Sequence, residues 1–166
     1  MKKVVESSAR SGAQVHRPTA KPPFRLRRIL APTDFSANSE KAVHYAIQLA
    51  RLVGAKLTLL HVVPEPSALD YTMQGIPVDE IQGWKEEAAA KLATQLAKAK
   101  LAYQEVDSTL TTALHPRDEI VRAATSLGAD LLVLSTHGYT GWKHALFGSD
   151  AEKILEQAPC PVVVIR

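Results

Sequence analysis

The chain has few of the residues that cross-link small proteins or build metal and redox centres. It contains a single cysteine, Cys160, in 166 residues, which excludes an internal disulfide and any Cys-x-x-Cys pair. We interpret Cys160 as a small buried hydrophobic residue, and one free thiol suits a reducing compartment. No apolar run approaches the ~20 residues that span a bilayer, and the N-terminus lacks the apolar centre of a signal peptide. We therefore expect a soluble, cytoplasmic protein.

The chain also lacks the common catalytic motifs. Its six histidines are scattered, without HxH or HExxH spacing, so we expect no metal site. There is no Gly-x4-Gly-Lys-(Ser/Thr) loop and no Gly-x-Ser-x-Gly turn. Nor does a Gly-x-Gly-x-x-Gly sequence follow the first strand, where a dinucleotide fold requires it. We expect no catalytic residues, and a binding protein rather than an efficient enzyme.

Positive charge is concentrated at the N-terminal end. Residues 1–28 hold eight lysines and arginines and one glutamate, so their net charge is +7. The whole chain has a net charge of +3, so the remaining residues carry −4. We predict a basic, disordered tail over 1–25 and one domain over 26–166, since the tail has too few apolar residues to offset its ordering entropy. The tail is a solvated extension or an electrostatic attachment to nucleic acid, acidic protein or membrane. With Phe24 as its one aromatic residue, it would bind nucleic acid only weakly.

Hydrophobic patterns alternate along the rest of the chain between strand and helix. Strands are predicted at 29–32, 57–63, within 103–113, at 129–134 and at 162–165, with helices between them. This order predicts an α/β fold: an open doubly wound, mostly parallel five-stranded sheet with helices on both faces. We expect residues 64–77 to be an irregular, exposed connecting loop, with a lid over a ligand as the alternative.

Glycines follow the fourth predicted strand and lead into a helix. Ser149 and Glu152 form a potential capping box, and Gly148 allows an anion to approach the first amides of that helix. In a doubly wound sheet this loop would converge with 32–36 and 61–63 at the carboxyl ends of the strands. The pattern predicts a phosphate-binding loop.

These motifs resemble those of the universal stress protein family, nucleotide-binding type. That family carries Gly-x2-Gly-x9-Gly-(Ser/Thr), and this chain has Ser135-x2-Gly138-x9-Gly148-Ser149, with serine in place of the first glycine. The resemblance extends over about 27–166 and includes the segments 29–36, 59–63 and 158–166. It implies a Rossmann-like fold of the adenine-nucleotide alpha-hydrolase type.

The resemblance also implies a function, a site and a partner. The function is an ATP-binding, homodimeric stress-response module with at most slow ATP hydrolysis, whose contacts with an unknown regulatory protein depend on nucleotide state. ATP would bind with magnesium. The two subunits would pair through Pro161, Val162, Val163, Val164 and Ile165. The residues that match the nucleotide site are Pro32, Thr33, Asp34, Ser36, Val62, Ser135, Thr136, His137, Gly138, Gly141, Gly148, Ser149, Asp150 and Ala151.

Two alternatives remain open from the sequence. One is a nucleotide-free dimeric scaffold of the same family. The other is an adenylate-transferring or pyrophosphate-releasing α/β enzyme, although the Ser-Gly-Gly loop expected after its first strand is replaced here by Pro32–Ser36. Asp150 also opposes phosphate binding, because it adds negative charge in the first turn of the receiving helix.

Overall fold

The computed structural model describes residues 25–75, 77–135 and 149–166, and strands alternate with helices along them. The strands are β1 (Arg28–Pro32), β2 (Lys56–Pro64), β3 (Val106–Ala113), β4 (Leu131–Ser135) and β5 (Val162–Ile165). The helices are α1 (Ala37–Val53), α2 (Ala68–Gln74), α3 (Val78–Ala102), α4 (Pro116–Ser126) and α5 (Ser149–Gln157). The ends of β1, β2, β4 and β5 lie within two residues of the predicted ones, and β3 lies within the predicted 103–113.

The five strands form one parallel sheet in the order β3-β2-β1-β4-β5. The chain first builds outward from β1 to β3 and then returns to the other side of β1 with β4. Strand order therefore reverses between β1 and β4. The predicted doubly wound sheet is confirmed, and the reversal defines where a ligand crevice is expected.

Apolar side chains fill both faces of this sheet. In the central strands, alternate residues belong to two buried clusters: Ile29, Leu57 and Val133 pack with α1 and α3, and Leu30, Leu60 and Leu132 pack on the α4 and α5 side. Leu131 to Leu134 are all buried. This explains the continuous apolar run at β4, since a parallel strand between two helical layers has no solvent face.

Helix α1 ends as its sequence predicts. Ser36 is the N-cap, and its hydroxyl accepts a hydrogen bond from the Ser39 amide at 3.2 Å. Gly54 closes the helix with φ of 69°, and its N–H donates to the Ala50 carbonyl. Glycine adopts this left-handed conformation without the Cβ clash that other residues suffer. The caps fix where the chain leaves the carboxyl end of β1 and where it returns.

The segment between β2 and α3 contains a helix that the sequence analysis did not predict. The irregular loop expected over 64–77 instead holds the seven-residue α2. Three prolines of the segment, Pro64, Pro66 and Pro77, and Gly75 flank these residues, and seven residues are too few to show a helical period. The expected exposure is correct, because Leu69 and Met73 of α2 are exposed. None of the described helices is long and apolar enough to cross a membrane.

Candidate nucleotide site at the carboxyl edge of the sheet

The central strands separate at their carboxyl ends. β1 pairs with β2 through five residue pairs, but with β4 through two, Ile29 with Leu131 and Leu30 with Leu132. Beyond these pairs the two strands are no longer paired: β1 ends at Pro32 and turns through Ser36 into α1, and β4 continues to Ser135. The topological switch is thus a crevice bordered by two of the segments that the sequence predicts to converge.

The turn after β1 is held by hydrogen bonds within itself. One oxygen of the Asp34 carboxylate accepts from the Ser36 amide at 3.0 Å and from the Ser36 hydroxyl at 2.6 Å. The buried Thr33 hydroxyl accepts from the Phe35 amide at 3.2 Å and lies 3.3 Å from the Ser39 hydroxyl. These bonds orient the Asp34 carboxylate, so part of its role is structural.

Phe35 occupies a conformation that its side chain disfavours. Its φ is 61°, whereas the other residues with positive φ in the described part of the chain are glycines. A left-handed non-glycine residue costs about 1–2 kcal/mol and persists where surrounding contacts determine it. One such contact is the His61 ring, whose centroid lies 4.3 Å from that of Phe35 at an interplanar angle of 32°.

His61 also contacts the backbone of the same turn. Its Nδ1 lies 2.7 Å from the Thr33 carbonyl oxygen. Because a carbonyl only accepts hydrogen bonds, Nδ1 carries the proton and donates it. Burial lowers the pKa of His61 from its ordinary value of 6.5, outweighing the Thr33 hydrogen bond and the charge of Asp34, which both raise it. The lowered pKa favours the neutral imidazole.

Val62 follows His61 and lies beyond the end of β1. Its side chain is buried in the cluster on the α4 and α5 side. β1 and β2 are paired up to Pro32 and Leu60, and one further bond runs from the Thr33 amide to the Leu60 carbonyl at 2.8 Å. Since strand residues alternate in direction, the N–H and C=O of Val62 point to the β1 side, as those of Leu60 do. The Val62 N–H and C=O therefore point to the space beyond Pro32, where β1 has ended.

Ser135 ends β4 in strand geometry and pairs with Ile165. It is not among the described residues with positive φ, so a serine fits there without strain. Thr136, His137, Gly138, Gly141 and Gly148 lie outside the described residues, as do the side chains of Ser149 and Asp150. Helix α5 begins at Ser149, and its third residue, Ala151, is half-buried. The phosphate loop and the capping box remain sequence predictions.

A groove of about 440 Å³ opens at the opposite, amino edge of the sheet. Arg28 and Lys56 line it, and both are engaged: Arg28 donates to the Leu127 carbonyl at 2.9 Å, and Lys56 pairs with Asp107 at 2.6 Å. Parallel sheets bind ligands outside their carboxyl ends. We therefore assign the candidate site to the crevice at the carboxyl edge and not to this groove.

Comparison with known proteins fits this geometry. Residues 25–166 match the universal stress protein family. The chain belongs to the universal stress protein family. It is 30% identical over 148 residues to universal stress protein YxiE of Bacillus subtilis (strain 168), with coverage of 85% of this chain and 99% of that protein.

Solved structures give the same family. Universal stress protein UspA from Lactobacillus plantarum superposes with a TM-score of 0.72 at 24% identity, covering 86% of this chain and 99% of its own. A universal stress protein in complex with cAMP superposes with a TM-score of 0.61 at 25% identity, covering 85% and 97%. The similarity to the Lactobacillus plantarum protein supports the fold. The similarity to the cAMP complex is to a member of the family that binds an adenine nucleotide.

Two residues at this edge were not singled out from the sequence of this universal stress protein. His61 has no motif spacing that distinguishes it from the other histidines, and Phe35 stands between two polar residues. The available signal was the place of His61, immediately before Val62 at the carboxyl end of a buried strand.

Among the described residues there is no cluster of three or more His, Cys, Asp or Glu side chains able to hold a metal ion.

Cys160 is less buried than predicted. It is half-buried, packs on the cluster at the α4 and α5 side, and lies just before the edge strand β5. An edge strand has one neighbour, so residues beside it retain some exposure. Burial, and secondarily the charge of Asp130, raises the pKa of the thiol, which keeps it protonated at neutral pH.

Proposed function

We propose that this universal stress protein binds ATP, as the magnesium complex, in the crevice between β1 and β4. The observation that carries the proposal is the carboxyl edge of the sheet, where Thr33, Asp34 and Val62 border the point of strand reversal. An ordered carboxylate beside outward-facing main-chain groups suits adenosine, which has hydroxyl and amino donors and ring acceptors.

The adenosine half of this proposal draws on the fold and on a relative. The cAMP complex of a universal stress protein at 25% identity supports an adenine nucleotide as the ligand. In this chain the Asp34 carboxylate, held by Ser36, would accept from the ribose or the adenine amino group. The main chain of Val62 would meet the adenine edge, a contact that any side chain at this position permits.

The phosphate half rests on the sequence. The positions from Ser135 to Ser149 keep the family spacing, and the N-terminus of α5 offers amides to an anion. A like charge at Asp150, ~6 Å away at an effective dielectric of ~20, opposes binding by up to ~3 kcal/mol before screening. Charge-assisted hydrogen bonds of roughly 1.5–3 kcal/mol each favour it, and several amides contribute. We expect net binding, at about micromolar affinity.

The nucleotide that co-purifies with the full chain tests this function. Mass spectrometry of the acid-released ligand should identify ATP or another adenine nucleotide at a substantial fraction of one per subunit. Gly148→Val should abolish this occupancy, because a branched side chain blocks close approach of phosphate to the backbone. Gly83→Val is the control, since a Cβ at Gly83 meets no atom within 4 Å. Retained nucleotide in Gly148→Val would place the site elsewhere.

We further propose a homodimer paired through β5. In the described part of the sheet β5 pairs with β4 alone, and Val162 to Ile165 are all half-buried. The Leu132 amide donates to the Pro161 carbonyl at 3.0 Å, so alternate residues from Pro161 face β4, and Val162 and Val164 direct their backbone outward. An apolar edge with outward-facing N–H and C=O groups is usually paired or covered.

Val164→Pro tests this interface. The substitution removes an outward donor without removing a β4 hydrogen bond, so sedimentation should shift from dimer to monomer. Val164→Ala, which keeps the N–H, should remain dimeric. A parent protein that sediments as a monomer, or a proline variant that remains fully dimeric, would contradict the interface.

The biological setting we propose is a cytoplasmic regulatory module without a catalytic role. Its contacts with a regulatory protein would change with bound nucleotide, and the basic tail over 1–25 would be dispensable for folding. Deleting residues 1–24 should leave the melting temperature and ATP affinity nearly unchanged. A large drop in either would show that the tail packs on the domain or on the ligand.

A further inference from the structure

The His61 side chain takes a hydrogen-bonding position that the sheet would otherwise fill with backbone. Thr33 extends the β1 pattern by one residue, since its amide donates to the Leu60 carbonyl at 2.8 Å. In a regular parallel ladder the next bond would run from the Val62 amide to the Thr33 carbonyl. In this protein His61 Nδ1 lies 2.7 Å from that carbonyl oxygen, and no backbone bond joins Val62 to Thr33 in the described residues.

This substitution has two consequences at the crevice. The β1–β2 ladder ends at Thr33, and the main chain of Val62 remains directed at the switch without a β1 partner among the described residues. The same imidazole ring packs on Phe35, the residue held at φ of 61°. Phe35 turns the chain between Asp34 and Ser36. The packing of His61 on Phe35 therefore helps to determine where the Asp34 carboxylate lies.

We infer that His61 is a positioning residue for adenosine: its Nδ1–H ends the β1–β2 ladder at Thr33, exposes the Val62 main chain to the base, and fixes the turn that presents Asp34. The inference rests on the proposed function, because it assigns a role within that site. His61 acts through Thr33, Phe35 and Val62 and need not touch the nucleotide itself. Preorganisation of this kind raises affinity by avoiding ordering costs on binding.

Asparagine and leucine at position 61 separate the hydrogen bond from the bulk of the side chain. The amide nitrogen of asparagine occupies nearly the place of Nδ1 and donates a proton, whereas leucine fills a similar volume without a donor. His44→Leu is the matched control, since His44 lies on the exposed face of α1, away from the crevice. Each variant would be stripped of nucleotide and titrated with Mg-ATP by calorimetry at pH 7.5.

We expect His61→Leu to raise the Kd for ATP by about tenfold or more, the worth of one buried hydrogen bond. His61→Asn should stay within about threefold of the parent and His44→Leu should be unchanged. Parent-like affinity in His61→Leu would overturn the inference while leaving the proposed function intact. Equal losses in the leucine and asparagine variants would also overturn it, because the donor would then not be what matters.

A second measurement needs no ATP. Nitrogen-15 NMR should show Nδ1 protonated and Nε2 unprotonated at pH 7.5, and amide exchange at Phe35 and Ser36 should accelerate in His61→Leu but not in His61→Asn. Unchanged exchange in the leucine variant would overturn the positioning role even if ATP affinity fell. If the parent chain binds no ATP, the proposed function fails, and this exchange comparison still decides whether His61 fixes the turn.

Discussion

The two edges of the sheet both carry polar networks, but the networks act on different parts of the fold. At the amino edge, the Asp130 carboxylate accepts from the Arg27 and Arg28 amides at 2.8 and 2.9 Å. Arg28 in turn donates to the Leu127 carbonyl. These bonds join residues about one hundred positions apart, and so they tie the start of β1 to the approach to β4.

At the carboxyl edge most of the bonds are local. Thr33, Asp34, Ser36 and Ser39 bond to one another, and β2 adds the His61 ring and the Leu60 carbonyl, which both bond to the Thr33 backbone. A long-range network stabilises the tertiary arrangement, whereas a local one sets the shape of a single turn. Substitutions at the amino edge should therefore reduce stability, and substitutions at the carboxyl edge should reduce ligand affinity.

Asp34→Ala should give the largest effect. Loss of a charged acceptor for adenosine should raise the Kd for ATP about ten- to a hundredfold, which corresponds to roughly 1.5–3 kcal/mol. The free energy of unfolding should change by about 1 kcal/mol or less, because the lost partners belong to one partly exposed turn. Calorimetry and urea denaturation measure the two quantities. A large loss of stability with unchanged affinity would make Asp34 a purely structural residue.

Asp130→Ala should give the opposite pattern. The Arg27 and Arg28 amides lose their acceptor, and we expect the free energy of unfolding to fall by about 1–2 kcal/mol, since water replaces part of the bond. The Kd for ATP should stay within twofold of the parent. Asp130→Asn, which keeps one acceptor oxygen, should lie between. A marked affinity loss in Asp130→Ala would show that the two edges are coupled.

The central strands could be predicted from the sequence because burial on both faces leaves an apolar run, as at Leu131 to Leu134. The cap of α1 at Ser36 and its end at Gly54 could be predicted because their residue types have specific backbone roles. The role of His61 could not, since it depends on a side chain replacing a backbone donor, and that requires the register of two strands. Helix α2 could not be predicted, because its seven residues are too few to show a helical period and lie between prolines and a glycine.

Gly128→Ala and Gly54→Ala test the contribution of Arg28 to stability at the amino edge. Both glycines end helical segments with positive φ, 58° and 69°, so alanine costs about 1 kcal/mol at either. A Cβ at Gly128 would lie 2.8 Å from Arg28 Nη1, whereas one at Gly54 meets nothing within 4 Å. Urea denaturation should show Gly128→Ala less stable by about 0.5–1 kcal/mol more, the worth of the Arg28 hydrogen bond. Equal losses would mean that Arg28 moves without consequence.

The pH dependence of stability provides the smallest effect. Because burial lowers the pKa of His61 below 6.5, the unfolded chain binds a proton more readily, and stability is lost as pH falls from 6.5 to the folded pKa. Asp34 and Lys91 act on this histidine in opposite directions, raising and lowering its pKa. Thermal denaturation at pH 7.5 and 5.5 should show a smaller loss in His61→Asn than in the parent. An identical loss would mean that His61 is accessible to protonation in the folded state.

Calorimetric titration of the nucleotide-stripped parent chain with Mg-ATP is the decisive measurement of nucleotide binding. We predict saturable binding of one ATP per subunit with a Kd of about micromolar magnitude. No heat at submillimolar ATP, with the chain folded, would contradict ATP binding and place this protein among the nucleotide-free members of its family.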